Sequence, residues 1–85
     1  MRDLRSKLRK CNPYLIERDL LPKLYFKEDV NNTEEWIFKY SFLRKLSDEA
    51  IAIRLGFYSR QGINKKLNMI LDSNSYLIEE FVAKQ

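Results

Sequence analysis

The scarcity of turn residues constrains this chain more than any other feature of its sequence. Its 85 residues include only two glycines and two prolines, too few for the many tight turns of a β-sandwich or barrel. Hydrophobic residues make up 45% of the chain, which is typical of a folded domain and not of a disordered segment. A chain of this length forms one domain, residues 1–85, because domains seldom divide below about 100 residues. We therefore predict a single all-α domain.

The residue types that the chain lacks exclude several classes of function. Cys11 is the only cysteine and there is no histidine, so neither an internal disulfide nor a zinc site of His and Cys can form. The commonest general acid–base residue is also missing, and the carboxylates and lysines show no catalytic spacing. We expect a protein that is not an enzyme and holds no metal or cofactor, with Cys11 packed as a small hydrophobic residue.

Two further observations concern the cellular location. No apolar run approaches the roughly 18 residues of a membrane span. The basic start, Met1–Lys10, lacks the apolar stretch of a signal peptide. We expect a soluble, cytoplasmic protein without membrane contact.

Local signals predict two helices in the first quarter of the chain. Residues 3–11 form a short helix, and Asn12 with Pro13 starts a second, since Asn is a good N-cap and Pro fits the first helical position. The second helix should end before Pro22, because the residue preceding a proline, Leu21, is biased away from helical geometry. The apolar residues on the inner faces are Leu4, Leu8 and Cys11 in the first helix and Ile16 and Leu20 in the second.

Three polar residues, Thr33, Ser47 and Ser59, are predicted N-caps of the next three helices. Gly56 should end the fourth helix in a left-handed conformation, and Asp72–Ser75 should form a loop before the last. The predicted apolar stripes are Trp36, Tyr40, Leu43 and Leu46 in the third helix and Leu77, Ile78, Phe81 and Val82 in the last. The helical spacing of Trp36 and Tyr40 favours a position in the core over a role in stacking on nucleic-acid bases.

The segment from Asp48 to about Leu71 has the pattern of a helix-turn-helix. Such a motif needs a short helix, a sharp turn that often contains glycine, and a second helix directed outward. Ala52 supplies the small residue where the helices cross, and Gly56 makes the turn. Two apolar residues, Ile63 and Leu67, then attach the second helix to the core. We predict a tri-helical core over residues 33–71, with extra helices at both ends.

The second helix of this motif, about residues 59–71, has an outward face rich in amides and cations. Asn and Gln pair with adenine in the DNA major groove, and Arg and Lys pair with guanine. The predicted base-contacting residues are Arg60, Gln61, Asn64, Lys65 and Asn68. The predicted phosphate-contacting residues are Arg44, Lys45, Ser59 and Lys66. The alternative is an ordinary solvated helix, but the surrounding motif and the charge distribution favour DNA.

Charge is concentrated on the same part of the chain. The formal net charge is +4, and residues 36–71 carry seven basic residues against the two acids Asp48 and Glu49. A second basic cluster lies at the N-terminus, where residues 1–10 hold five basic residues against Asp3. That segment is either an arm that contacts phosphates or a solvated amphipathic helix.

The stretch LSDEAIAIRLGFYSRQGINKKLNMIL (Leu46–Leu71) resembles the helix-turn-helix of the bacterial sigma-factor domain that binds the promoter −35 element. It is also similar to small sigma-like regulators of phages and mobile elements. DEAIAIRLG resembles the supporting helix of the family, SRQGINKKL its recognition helix and TEEWIFKYSFLRK the preceding helix. The resemblance covers a little under half of the chain. Phe57-Tyr58-Ser59 is one residue longer than the common turn.

This resemblance implies a transcription regulator that binds double-stranded DNA, with base contacts by Arg60, Gln61, Asn64 and Lys65. Residues 1–30 match no other sigma-factor domain, which favours a regulator over a complete sigma factor. The last helix would either close the core or form a homodimer, as small regulators commonly bind two half-sites. Two rivals stay open: a module that binds RNA polymerase or another protein without reading DNA, and an RNA-binding protein that uses the N-terminal segment.

Overall fold

The computed structural model describes residues 3–56 and 59–85, and all regular structure in these ranges is helical. The helices are α1 (Leu4–Arg9), α2 (Pro13–Leu15), α3 (Thr33–Phe42), α4 (Asp48–Leu55), α5 (Arg60–Ser73) and α6 (Ser75–Ala83). A π-helical turn, Ile16–Leu20, and a 3-10 turn, Leu21–Lys23, continue α2. The predicted all-α class is confirmed. None of the described helices has the length and apolar character needed to cross a membrane.

The predicted capping residues begin three of the helices. In each case a side-chain oxygen accepts a hydrogen bond from a backbone N–H of the first turn, which has no partner within the helix. Asn12 accepts from Tyr14 at 2.8 Å, Ser47 from Ala50 at 3.2 Å and Ser59 from Gly62 at 3.1 Å. Gly56 ends α4 with φ of +82°, as predicted for a left-handed C-terminal residue.

The prediction that helical structure ends before Pro22 is wrong. Leu21 has helical φ and ψ of −53° and −42°, and the 3-10 turn continues through Pro22 to Lys23. The proline occupies the first turn of this new helical segment, where a backbone N–H has no helical partner in any case. The N–H group that proline lacks would have had no helical partner here, so no helical hydrogen bond is lost.

The prediction that Thr33 caps α3 is also wrong, because Thr33 is the first helical residue and is buried. The residue before it, Asn32, is left-handed with φ of +51° and provides no side-chain cap. Asp29 takes that role from further back: its Oδ1 accepts from the backbone N–H groups of Asn31 and Thr33, each at 3.0 Å. The start of α3 is thus capped by Asp29, in the loop that precedes the helix.

The buried face of α3 differs from the predicted stripe. Trp36 is 41% exposed and Tyr40 is half-buried. The residues that α3 buries are Thr33, Glu34, Ile37, Phe38, Ser41 and Phe42. Both stripes fit a helical period, so the sequence pattern alone does not choose between them. Contacts with other parts of the chain determine which stripe is buried. The ring centroids of Phe26 and Phe38 lie 5.7 Å apart, and α3 packs on α1, α4 and α5.

The core lies between α5 and the other helices. Its buried apolar side chains are Leu8, Cys11, Ile16, Leu20, Ile37, Phe38, Phe42, Ile51, Ala52, Ile63, Leu67, Ile70, Leu71, Ile78 and Phe81. The last helix, α6, packs on α1, α5 and the Ile16–Leu20 turn, so its predicted apolar face closes the core. Cys11 is buried, as predicted.

The predicted loop Asp72–Ser75 is a single residue. α5 continues to Ser73 and α6 begins at Ser75, which leaves Asn74 between them. Asn74 is buried, and its amide binds the backbone of Tyr25 and of Ile70. These bonds satisfy backbone groups at the junction, so the chain turns without a longer loop.

Candidate nucleic-acid interface

The outward face of α5 is the candidate site. Ile63 and Leu67 are fully buried and Ile70 nearly so, which fixes the rotation of the helix about its axis. The opposite side is therefore solvent-facing. The residues of this face that were predicted to contact bases are all exposed: Arg60, Gln61, Asn64, Lys65 and Asn68.

The start of α5 presents free hydrogen-bond donors. Ser59 is exposed and caps the helix, and Arg60 follows it in the first turn. Unpaired N–H groups and the positive end of the helix dipole favour an anion there. α4 packs against α5 with Ala52 buried. The predicted extra residue of the turn concerns 57–58 and lies outside the described residues.

The face has an acidic end that the sequence analysis did not place there. Because α5 runs to Ser73, Asp72 is helical and exposed. At 100° per residue it lies close to Gln61, Lys65 and Asn68 in angle, one turn beyond the last of these. A carboxylate repels DNA phosphate, so the N-terminal two-thirds of α5 form the part suited to DNA.

One of the predicted base-reading residues already has a partner within the protein. Arg5 of α1 donates from Nη1 to Oδ1 of Asn64 at 3.0 Å, and its Nη2 forms an ion pair with Asp48 of α4. The rest of α1 is packed too, since Leu8 is fully buried. Arg9 donates to the carbonyl of Lys45 at 3.0 Å. The basic N-terminal segment is thus docked on the domain from Asp3 onward.

Lys45 and Lys66 are engaged inside the protein. Nζ of Lys45 donates to the carbonyls of Arg9 and Cys11, the latter at 3.2 Å, which satisfies backbone acceptors at and just after the end of α1. Burial, and after it the charge of Arg9, lowers the pKa of Lys45 below its ordinary value. Nζ of Lys66 lies 3.9 Å from the buried carboxylate of Glu34, on the side of α5 that faces α3.

Arg44 and Ser59, the other two predicted phosphate contacts, are exposed. The guanidinium of Arg44 lies 5.7 Å from the Tyr40 ring centroid. Arg54 of α4, which the sequence analysis did not select, lies on the same ring at 5.5 Å. No ion pair of either arginine occurs among the residues described. The signal for Arg54 was its position in the last turn of α4, two residues before Gly56.

The exposed Trp36 and the half-buried Tyr40 lie beside these two arginines. Trp36 and Tyr40 pack with ring centroids 5.5 Å apart, and the Lys39 ammonium lies 4.8 Å from the Trp36 ring. We name Trp36, Lys39, Tyr40, Arg44 and Arg54 the aromatic–cationic surface. In the described chain no group of three or more Cys, Asp or Glu residues is placed to hold a metal ion.

Comparisons with protein-family models, with curated proteins and with solved structures give no match for this chain. The residues of the chain itself are therefore the only guide to its function. The likeness to the sigma-factor domain remains one of sequence motifs.

Proposed function

We propose that this protein is a transcription regulator that binds double-stranded DNA in a sequence-specific way, with α5 in the major groove. One observation carries the proposal: α5 exposes a continuous face of amides and cations that has no acid before Asp72. The opposite face is locked into the core. A helix with this arrangement offers donors and acceptors that match base edges and fits the width of the major groove.

In this proposal α4 and α5 act as the two helices of a helix-turn-helix. The buried Ala52, the left-handed Gly56 and the Ser59 cap support it, because Ala52 lies where α4 packs on α5, Gly56 ends α4 and Ser59 begins α5. Gln61, Lys65 and Arg60 would contact bases directly. Asn64 and Asn68 lie on the side of the face nearer α1.

Backbone contacts give most of the attraction and no sequence information. Ser59 and the free N–H groups after it would hold one phosphate, and the exposed Arg44 and Arg54 would hold others. Lys45 and Lys66 contribute positive charge but are committed to carbonyls and to Glu34. We further propose that the protein acts in the cytoplasm and that two copies bind paired half-sites.

The test is a fluorescence-anisotropy titration of the protein against mixed-sequence duplex DNA over a range of salt concentrations. Six phosphate contacts predict a slope of about −5 for log affinity against log salt. The Gln61→Ala/Lys65→Ala variant should bind at least about tenfold more weakly at low salt, since it loses one base-reading amide and one cation of the face.

A matched control removes the same two residue types elsewhere. Lys84→Ala/Gln85→Ala deletes one cation and one amide at the exposed end of the chain, and should bind DNA nearly as wild type. Equal losses in the two variants would mean that only overall charge matters. If wild type does not bind DNA at low salt, the proposal is wrong.

A second candidate function is supported by the aromatic–cationic surface. Trp, Tyr and Arg are the residues most enriched at the energetic centres of protein–protein interfaces, and Trp36 is the only tryptophan of the chain. A protein partner such as RNA polymerase would then bind at α3 and α4. Trp36→Ala should abolish capture of purified polymerase and leave DNA binding intact, whereas Gln61→Ala/Lys65→Ala should weaken DNA binding and leave capture intact.

A further inference from the structure

The side chain of Arg5 joins three helices at the edge of the candidate DNA interface. It belongs to α1, and it binds Asp48 in the first turn of α4 and Asn64 in the middle of α5. Both arginine and aspartate are mostly buried, with side-chain exposures of 23% and 15%. Asn64 itself is exposed. Arg5 thus forms an ion pair with a mostly buried carboxylate and a hydrogen bond with a residue that faces solvent.

The chemistry of arginine fixes the orientation of the Asn64 amide. A guanidinium has only donors, so the group of Asn64 that lies 3.0 Å from Nη1 is the oxygen, Oδ1. The amide nitrogen is then the end without this partner. An exposed asparagine normally rotates freely between its two amide orientations, but here the arginine cation selects one of them.

We propose that Arg5 is a specificity-determining residue that makes Asn64 read guanine instead of adenine. The inference rests on the proposed function, since it concerns the same face of α5. In adenine recognition the amide oxygen accepts from N6–H and the amide nitrogen donates to N7. Arg5 takes one of the two lone pairs of that oxygen, and its positive charge beside the oxygen repels the hydrogens of the adenine amino group.

Guanine fits the resulting surface because its major-groove edge carries two acceptors, O6 and N7. The Asn64 amide nitrogen offers N–H donors, and the guanidinium of Arg5 has five N–H groups in all, of which two are used in its contacts with Asn64 and Asp48. The pair therefore presents donors and a positive charge toward the base. On this basis α1, whose sequence gives no hint of base reading, forms part of the reading site.

The experiment starts from binding sites selected from a random duplex library by wild-type protein. Selection with Asn64→Ala identifies the base pair that Asn64 senses, as the position whose preference disappears. Duplexes with G·C or A·T at that position are then compared by anisotropy. Wild type should prefer guanine by about tenfold, a typical value for one specific side-chain contact.

The decisive variant is Arg5→Met/Asp48→Asn, in which the second change prevents a buried carboxylate from being left unpaired. It should lose the guanine preference or prefer adenine, while its preferences at the other positions stay as in wild type. Asp48→Asn alone keeps the Arg5–Asn64 bond and should keep the guanine preference. Thermal unfolding of each variant separates this effect from a general loss of structure, which would weaken every position alike.

Two results would overturn the inference: a wild-type preference for adenine at the position sensed by Asn64, or an unchanged guanine preference in the double variant. Both leave DNA binding itself in place. Failure of wild type to bind any duplex would instead remove the proposed function and this inference with it. The two failures are therefore distinguishable in one series of titrations.

Discussion

Asn74 shows how much one polar side chain contributes to a small helical core. Its Oδ1 accepts from the backbone N–H of Tyr25 at 2.8 Å, and its Nδ2 donates to the carbonyls of Tyr25 and Ile70, both at 2.9 Å. The amide thus ties the extended segment after α2 to the junction of α5 and α6. Nothing in the local sequence separates this asparagine from an ordinary loop residue.

We predict that Asn74→Ala destabilises the protein by about 2 kcal/mol, because the backbone N–H and carbonyl of Tyr25 lose their partner, and each such loss costs about 1–3 kcal/mol. The Ile70 carbonyl still accepts from the backbone N–H of residue 74. Urea unfolding followed by circular dichroism measures the change. Asn68→Ala is the matched control: Asn68 lies on α5 and is exposed, and its substitution should change stability by less than about 0.5 kcal/mol. Similar effects of the two substitutions would contradict the role given to Asn74.

At the scale of helices, the start of α3 depends on a residue outside the helix. Backbone hydrogen bonds, first of all from Thr33, lower the pKa of Asp29 below its ordinary value. These bonds favour the charged carboxylate in the folded state only. The stabilisation is therefore complete above the pKa of an unfolded aspartate, about 3.9, and it is lost as pH falls through the lower folded pKa.

We predict that Asp29→Ala lowers the midpoint of urea unfolding at neutral pH and that its difference from wild type shrinks in increasingly acidic buffers. The reason is that wild type loses the carboxylate by protonation, while the variant never had it. Glu28→Ala removes a neighbouring exposed acid that has no capping role, and should show neither effect. A difference that stays constant down to strongly acidic pH would argue against the charged cap.

The helices that the sequence predicts well are those whose signals are local. Asn12, Ser47, Gly56 and Ser59 act within three or four residues of the backbone groups they satisfy, so reading the sequence places them correctly. α3 fails this test because two adjacent stripes are apolar, and the choice between them depends on Phe26 and on the other helices. Propensity and periodicity do not contain that information.

In the candidate site, too, local sequence predicts some features and misses those that depend on distant residues. The outward face of α5 follows from helical periodicity, and the structure exposes each residue predicted to read bases. The partners of Asn64, Lys45 and Lys66 come from residues at least 30 positions away in the chain. Such contacts depend on how α1 and α3 dock, which no local pattern specifies.

Over the whole molecule, the packing of α6 removes the main reason for a dimer in the free protein. Ile78 and Phe81 are buried against α1 and the turn after α2, and Leu77 and Val82 are half-buried. The apolar face that a partner copy would have to cover is thus already covered within the chain. The protein measures 35 × 24 × 24 Å.

We therefore predict that the free protein is a monomer at micromolar concentrations and that two copies assemble only on DNA. Half-sites one helical turn apart place the centres of two copies about 34 Å from each other, close to the longest dimension of the protein, so the copies would meet at a small edge contact. Sedimentation velocity should show a single monomeric species without DNA and two chains per duplex on a selected site with inverted half-sites. A stable dimer in the free protein would mean that another surface associates, and the exposed Trp36 would be the first residue to substitute.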